Sequence, residues 1–152
     1  QADIINVYVF NSDLRAIVAS SAGDGFIINF KHMLAQTKTG KKFLNLKSGV
    51  FAKCLIVVRG EFVATVGSNH KLLVFDINEL PELARGKGVR LQKFKDAELS
   101  DITSFQANVG LEWQDLSGRK KVEKNPLNWL GKRAQSGKIA PRGFPRNNKF
   151  NL

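Results

Sequence analysis

Apolar residues along this chain recur in short runs rather than at helical spacing. Residues 4–10, 14–20, 26–30, 54–58, 62–66 and 72–77 are rich in Val, Ile and Phe and are bounded by Gly, Ser, Asn and Asp. Such runs predict β-strands. Continuous stretches such as Leu55-Ile56-Val57-Val58 predict strands covered on both faces. No helix-length periodicity occurs in the first 120 residues.

Two hairpins follow from this pattern. Residues 16–20 lead through Gly23-Asp24-Gly25 into 26–30, and residues 62–66 lead through Gly67-Ser68-Asn69-His70 into 71–75. Gly, Asn and Asp supply the positive φ values that tight turns need. The hairpins read as copies at an offset of 45, which matches Ala19 to Ala64, Asp24 to Asn69, Ile27 to Leu72, Ile28 to Leu73 and Phe30 to Phe75. At an offset of 46, Gly40-Lys41 matches Gly86-Lys87 and Phe43 matches Val89. A third, degenerate unit runs from Ile102–Gln106 through Gly110–Trp113 to the turn Leu116-Ser117-Gly118-Arg119. A period near 45 with several strands per unit predicts blade-like β repeats, here about 1–48, 49–95 and a degenerate 96–124.

The end of the chain differs. Asn125-Pro126 is a good helix start, Leu127, Leu130 and Ala134 share a helical face, and Gly137 is a stop. These predict a short helix over 125–136 that docks by Trp129. The expected domain therefore covers 1–137. Residues 138–152 are expected to form an irregular basic tail, extended on the surface, with Phe144 as its anchor.

Composition narrows the function. The 152 residues carry 24 Lys and Arg against 13 Asp and Glu, a net charge of +11, and 43% are hydrophobic. A core can therefore form, and a disordered polycation is excluded. A single cysteine, Cys54, excludes a disulfide framework and a cysteine-based zinc site. No uncharged apolar run approaches the length of a membrane span, and Gln1-Ala2-Asp3 does not open a signal peptide. The absence of an initiator Met leads us to expect a piece of a longer chain. Residues 1–118 are nearly balanced, with 14 basic and 12 acidic groups, whereas residues 119–152 hold ten basic groups and only Glu123. A cationic segment of this kind concentrates polyanions, nucleic acid foremost.

Catalytic chemistry is sparse. His32 and His70 lie at a strand end and in a turn without metal spacing. Cys54, inside an apolar strand, is expected to be an inert buried thiol. Asp76, Glu79 and Glu82 read as connector charges, and Asp96, Glu98 and Asp101 as solvated turn residues. Gly86-Lys87-Gly88 is too short for a phosphate-cradling loop and lacks the following Ser or Thr. More informative are bases at matching places in the repeat: Lys38, Lys41 and Lys42 in one connector, and Arg85, Lys87 and Arg90 in the next. If blades stack around an axis, these cations emerge on one rim and meet a phosphate backbone. Lys47, Lys93 and Lys95 are secondary candidates, and Arg119, Lys120 and Lys121 form a third cluster where the degenerate unit turns.

Three stretches bring a family into view. Leu83-Ala84-Arg85-Gly86-Lys87-Gly88-Val89-Arg90-Leu91 resembles a blade-closing connector in the C-terminal domain of the A-type subunit of bacterial DNA topoisomerase IV, the relative of the gyrase A protein. Residues 130–138 followed by Pro141-Arg142-Gly143-Phe144-Pro145, and Asp96 through Phe105, are similar to the same subunits. The resemblance implies an all-β β-pinwheel of four-stranded antiparallel blades, here an incomplete disc, that binds and bends double-stranded DNA. Its implied partners are the remainder of the A-type subunit, together with the B-type subunit of the intact enzyme. It further implies a bacterial cytoplasmic, nucleoid-associated setting, and no membrane or small-molecule substrate. Mg²⁺, ATP and the nucleophilic Tyr belong to other parts of such an enzyme. The only tyrosine here, Tyr8, follows Val7 rather than an Arg, so this chain alone is expected to cut no DNA. The basic, Gly-rich box of gyrase A is absent, which favours topoisomerase IV. The alternative reading is a propeller-like protein-interaction module with incidental charge.

Overall fold

The computed structural model describes residues 14–32 and 52–152. Among these residues ten strands occur in chain order: β1 Arg15–Ser20, β2 Asp24–Asn29, β3 Ala52–Val57, β4 Phe62–Gly67, β5 Lys71–Asp76, β6 Val89–Arg90, β7 Leu99–Phe105, β8 Leu111–Gln114, β9 Lys120–Glu123 and β10 Lys138–Ile139. They form a sheet of order β3-β1-β2-β6, a sheet of order β10-β5-β4-β7, and the separate hairpin β8-β9. Every pairing between these strands is antiparallel. The four-stranded blades expected from the sequence are present, and among the described residues β8 and β9 pair only with each other.

The connectivity is strand-exchanged. Each four-stranded sheet has one hairpin at its centre, and its outer strands come from the segments before and after the next hairpin. Blades made this way are held to one another by the chain itself.

The layers explain the unbroken apolar runs of the inner strands, whereas β3 lies at the edge of its sheet and is not covered on both faces as expected: Leu55 is 44% exposed. Ala16, Val18, Phe26 and Ile28 face one side of the first sheet, and Ile17, Ala19 and Ile27 face the other. The latter meet Val63, Leu73 and Phe75 of the second sheet in a shared core. The opposite face of the second sheet contributes Ala64, Val66, Leu72 and Val74 to a core with Leu111 and Trp113 of the third hairpin. Both faces of β4 and β5 are thus buried, so alternation disappears from their sequence.

Residues with matching roles correct the repeat offset. Ala16 pairs with Ile28 and with Val57, and Val63 pairs with Phe75 and with Ser104, so the two sheets superpose at 47 residues, not 45. Both carry a bulge at the same place, Ala19/Ser20 and Val66/Gly67. Their turns match as well: Gly23 and His70 both have positive φ, and each donates its N–H at 3.0 Å to the last residue of the preceding strand. The two offsets differ by two, which is the period of a strand, so both put the same residues on the same face. Hydrophobic pattern alone is blind to that slip.

The helix expected over 125–136 is a single 3-10 turn, Pro126–Trp129, and Ala134 has positive φ. It stops early because the backbone is captured by β5: Gly131 donates to the Val74 carbonyl at 2.8 Å. Trp129 does dock, donating from Nε1 to the Ile139 carbonyl at 2.8 Å and packing against the second core. The tail is irregular beyond β10 but firmly anchored. Phe144 is buried as expected, and Phe150, which the pattern did not single out, is 1% exposed beside it.

Candidate nucleic-acid interface

The connectors that follow β5 and β9 are built alike. Each opens with an acidic residue accepting a backbone N–H two residues on, Asp76 from Asn78 and Glu123 from Asn125. A 3-10 turn follows in each, Ile77–Glu79 or Pro126–Trp129. The chain then runs back along the outer edge of the preceding blade, where Leu83 donates to Ile27 and Gly131 to Val74, both at 2.8 Å. Next comes a glycine with φ +81, Gly88 or Gly137, pressed onto the strand beneath it. A Cβ there would lie 2.2 Å from the Gly25 carbonyl oxygen or 2.5 Å from that of Leu72. Only glycine combines this φ with that approach. Each connector ends by donating into the hairpin turn, Leu91 to Gly23 at 2.7 Å and Ala140 to His70 at 2.9 Å.

The two connectors also touch each other. Ala134 donates to Leu91 at 3.0 Å, and Lys93 donates to Gln135 at 2.9 Å. Arg133 is a half-buried brace between them, with its backbone N–H on Glu79 and its Nη1 on the Arg90 carbonyl. Gln92, fully buried, accepts from Thr65 and donates to the carbonyls of Lys71 and Ser136. Between the connectors lies a groove of about 400 Å³, lined by Leu73, Lys93, Trp129, Gly131 and Lys138 among others.

This arrangement gathers cations. Residues 85–95 hold five basic groups and no acidic one, and residues 128–149 hold six and none. Arg85, Lys93 and Lys95 are exposed. Lys87 and Arg90 each approach the buried Asp24 carboxylate at 3.8 Å while their side chains stay about half exposed (51% and 53%). Two cations on one carboxylate leave net positive charge at the surface. Arg119, Lys120 and Lys121 sit instead on the β8-β9 hairpin, where Lys120 is ion-paired with Glu112 at 2.6 Å. Lys38, Lys41, Lys42 and Lys47 lie outside the described residues. Lys132 and Lys138, which sequence reasoning left out, lie on the second connector and are exposed. The signal available for them was the acid-free run itself, with Gly137 marking the counterpart of Gly88.

Other candidate groups have structural roles. Cys54 packs against the shared core, and burial pushes its thiol up to about 12, so it is unreactive. Asp101 is not a solvated turn residue. It lies on β7 and accepts the N–H groups of Phe150 and Ile102, both at 2.9 Å. Burial raises its carboxyl above the ordinary range, against the pull of those two hydrogen bonds. His70 is a turn residue, as expected, bonded to Asn148 at 2.6 Å. Among the described residues no group of three or more His, Cys, Asp or Glu is placed to hold a metal.

No protein-family model matches the chain. It is 46% identical over 148 residues to the A-type subunit of DNA topoisomerase 4 from Rickettsia conorii, a match covering 97% of this chain and 20% of that protein. It is 41% identical to the same subunit from Caulobacter vibrioides, covering 97% and 19%. The chain thus spans about a fifth of the length of these relatives. Among solved structures, the E. coli ParC C-terminal domain matches with a TM-score of 0.69 at 18% identity, over 90% of this chain and 59% of that one. A DNA gyrase A C-terminal domain matches with a TM-score of 0.68 at 16% identity, over 91% and 47%. With blades of that type and a sequence this close along almost its whole length, the chain belongs to the family of DNA topoisomerase IV A-type subunits and has the β-pinwheel fold of the C-terminal domain.

Proposed function

We propose that this domain binds and bends duplex DNA, presenting it for strand passage by an intact type IIA topoisomerase without catalysing any step itself. The observation that supports the reading is the side-by-side contact of two successive connectors, each rich in basic residues. Arg85, Lys87, Arg90, Lys93 and Lys95 of one connector and Lys132 and Lys138 of the next are the proposed phosphate contacts; Lys38, Lys41, Lys42 and Lys47, candidates from the sequence, lie outside the described residues. Such contacts set the path of the duplex and carry little sequence information. Bending 20–30 base pairs costs on the order of 1–6 kcal/mol, which several phosphate contacts offset. In this reading the nucleophile, Mg²⁺ and ATP belong to the rest of the enzyme, in the remainder of the A-type polypeptide or in its B-type partner. The assembly works on the bacterial nucleoid.

The test is a duplex labelled at both ends with a fluorescence-transfer pair. The reading expects binding without sequence preference, shortened end-to-end distance on saturation, and no relaxation of supercoiled plasmid by the chain alone. Binding with an unchanged end-to-end distance would refute bending. Nicked or relaxed plasmid would refute the non-catalytic role.

A further inference from the structure

The third hairpin differs from the other two at one edge. β2 and β5 are inner strands, flanked outside by β6 and β10. β9 occupies the place of β5, since the Leu111–Glu123 pair follows the Val63–Phe75 pair by 48 residues on both strands. Among the described residues no strand covers its outer side. Lys120 and Val122 therefore stand where Leu72 and Val74 stand in the second blade. There, Leu72 pairs with Lys138 and the Val74 carbonyl accepts from Gly131. In the third hairpin, Asp115 donates to the Arg119 carbonyl, which turns the polar groups of Arg119 toward β8. Alternation then turns the N–H and C=O groups of Lys120 and Val122 outward. Val74 is fully buried, whereas Val122 is 42% exposed.

Charge decides what fits this edge. In the first blade the incoming β6 brings Lys87 and Arg90 to Asp24. The same position is Lys71 in the second blade and Arg119 in the third. The third edge thus carries Arg119 where the first carries Asp24, and Lys121 and Lys124 add to its positive charge, while Lys120 is paired with Glu112. A second β9 edge is repelled there, since lysines on an edge oppose self-pairing. We propose that the outer edge of β9 receives an acidic, extended segment of a partner protein as an added strand. Its backbone bonds Lys120 and Val122, its acidic side chains meet Arg119 and Lys121, and an apolar residue covers Val122.

The probe is a fluorescein-labelled peptide of alternating Glu and Val, compared with an equal-charge peptide carrying Pro in place of Val, by anisotropy with the whole chain at about 150 mM salt. The Glu-Val peptide is expected to bind at least about tenfold more tightly, because only it adds backbone hydrogen bonds. Val122→Pro removes an outward N–H while leaving the β8 ladder bonds, and should abolish that difference. The amides of Lys120 and Val122, but not Lys121, should shift in NMR spectra on titration. If Trp113 fluorescence reports that Val122→Pro has unfolded, the double variant Lys120→Glu with Lys121→Glu takes its place, and should prefer a Lys-Val peptide. Equal binding of the two peptides, or none at about 1 mM, overturns the proposal. So does duplex DNA shifting the same two amides at lower concentration than the peptide, or self-association through this edge in sedimentation.

Discussion

Replacing Gly88 with Ala tests the strand exchange at its tightest point. Gly118, in the β8-β9 turn, is the internal reference: its φ is +87, close to the +81 of Gly88, but an added Cβ there meets nothing within 4 Å. Forcing Ala into this backbone region costs roughly 1–2 kcal/mol, offset in part by about 0.4–1 kcal/mol from a stiffer unfolded chain. Gly118→Ala should therefore destabilise by about 1 kcal/mol. At Gly88 the same Cβ would lie 2.2 Å from the Gly25 oxygen and 2.4 Å from its carbonyl carbon. Backbone atoms cannot rotate away, so β6 must lift from β2. That weakens the Val89–Gly25 pairing and the Leu91-to-Gly23 bond, at about 1 kcal/mol for each hydrogen bond lost. The sum is about 3–4 kcal/mol, or on the order of 10 °C in melting temperature, against about 3 °C for Gly118→Ala. Thermal unfolding followed by circular dichroism reads both. Melting temperatures for the two variants within about 2 °C of each other would refute the claim that the connector is pinned to the neighbouring blade.

Three further outcomes follow. Phe150→Ala should cost about 3–5 kcal/mol in urea unfolding, the ordinary cost of emptying a buried aromatic site; a loss below about 1 kcal/mol would mean that the tail is no part of the second core. Raising the Cys54 thiol from 9.0 to about 12 lowers its thiolate at pH 8 by roughly 10³. Iodoacetamide should thus label the native chain about that much more slowly than the urea-unfolded chain, and comparable rates would contradict the burial. Asp101 has a folded-state pKa above its ordinary value of 3.8. Its contribution to stability is therefore fully present below 3.8 and lost as pH rises through the raised value. Urea midpoints of the wild type relative to Asp101→Asn should fall as pH rises over that window, and a rise would reverse the assignment.

Much of this architecture was legible in the residues, and the misses share a cause. Strand chemistry, the two hairpins and the docking of Trp129 all follow from local patterns. The offset of 45 does not survive because a two-residue slip leaves every side chain on its own face; only the Ala16–Ile28 and Val63–Phe75 pairings separate it from 47. The short helix failed because Gly131 bonds β5, a partner more than 50 residues earlier in the chain. Asp101 read as a turn residue because its partner, the Phe150 N–H, lies 49 residues away. Lys132 and Lys138 escaped notice because their relation to Arg85 and Lys87 depends on the contact between connectors. Each miss is a non-local contact, which no short window of sequence contains.

The central claim, that adjacent connectors present one phosphate-binding surface, is tested most directly by the salt dependence of duplex binding. With about six phosphates contacted, the slope of log K against log salt should be near −5, an affinity loss of roughly 10³ between 50 and 200 mM. Replacing Arg85, Lys93 and Lys132 together with Ala should bring the slope to about −3, since each lost contact removes about 0.9. Lys121→Ala with Lys124→Ala, on and beside β9, should leave it unchanged. An unaltered slope in the triple variant, or an equal change in the β9 pair, would contradict the account.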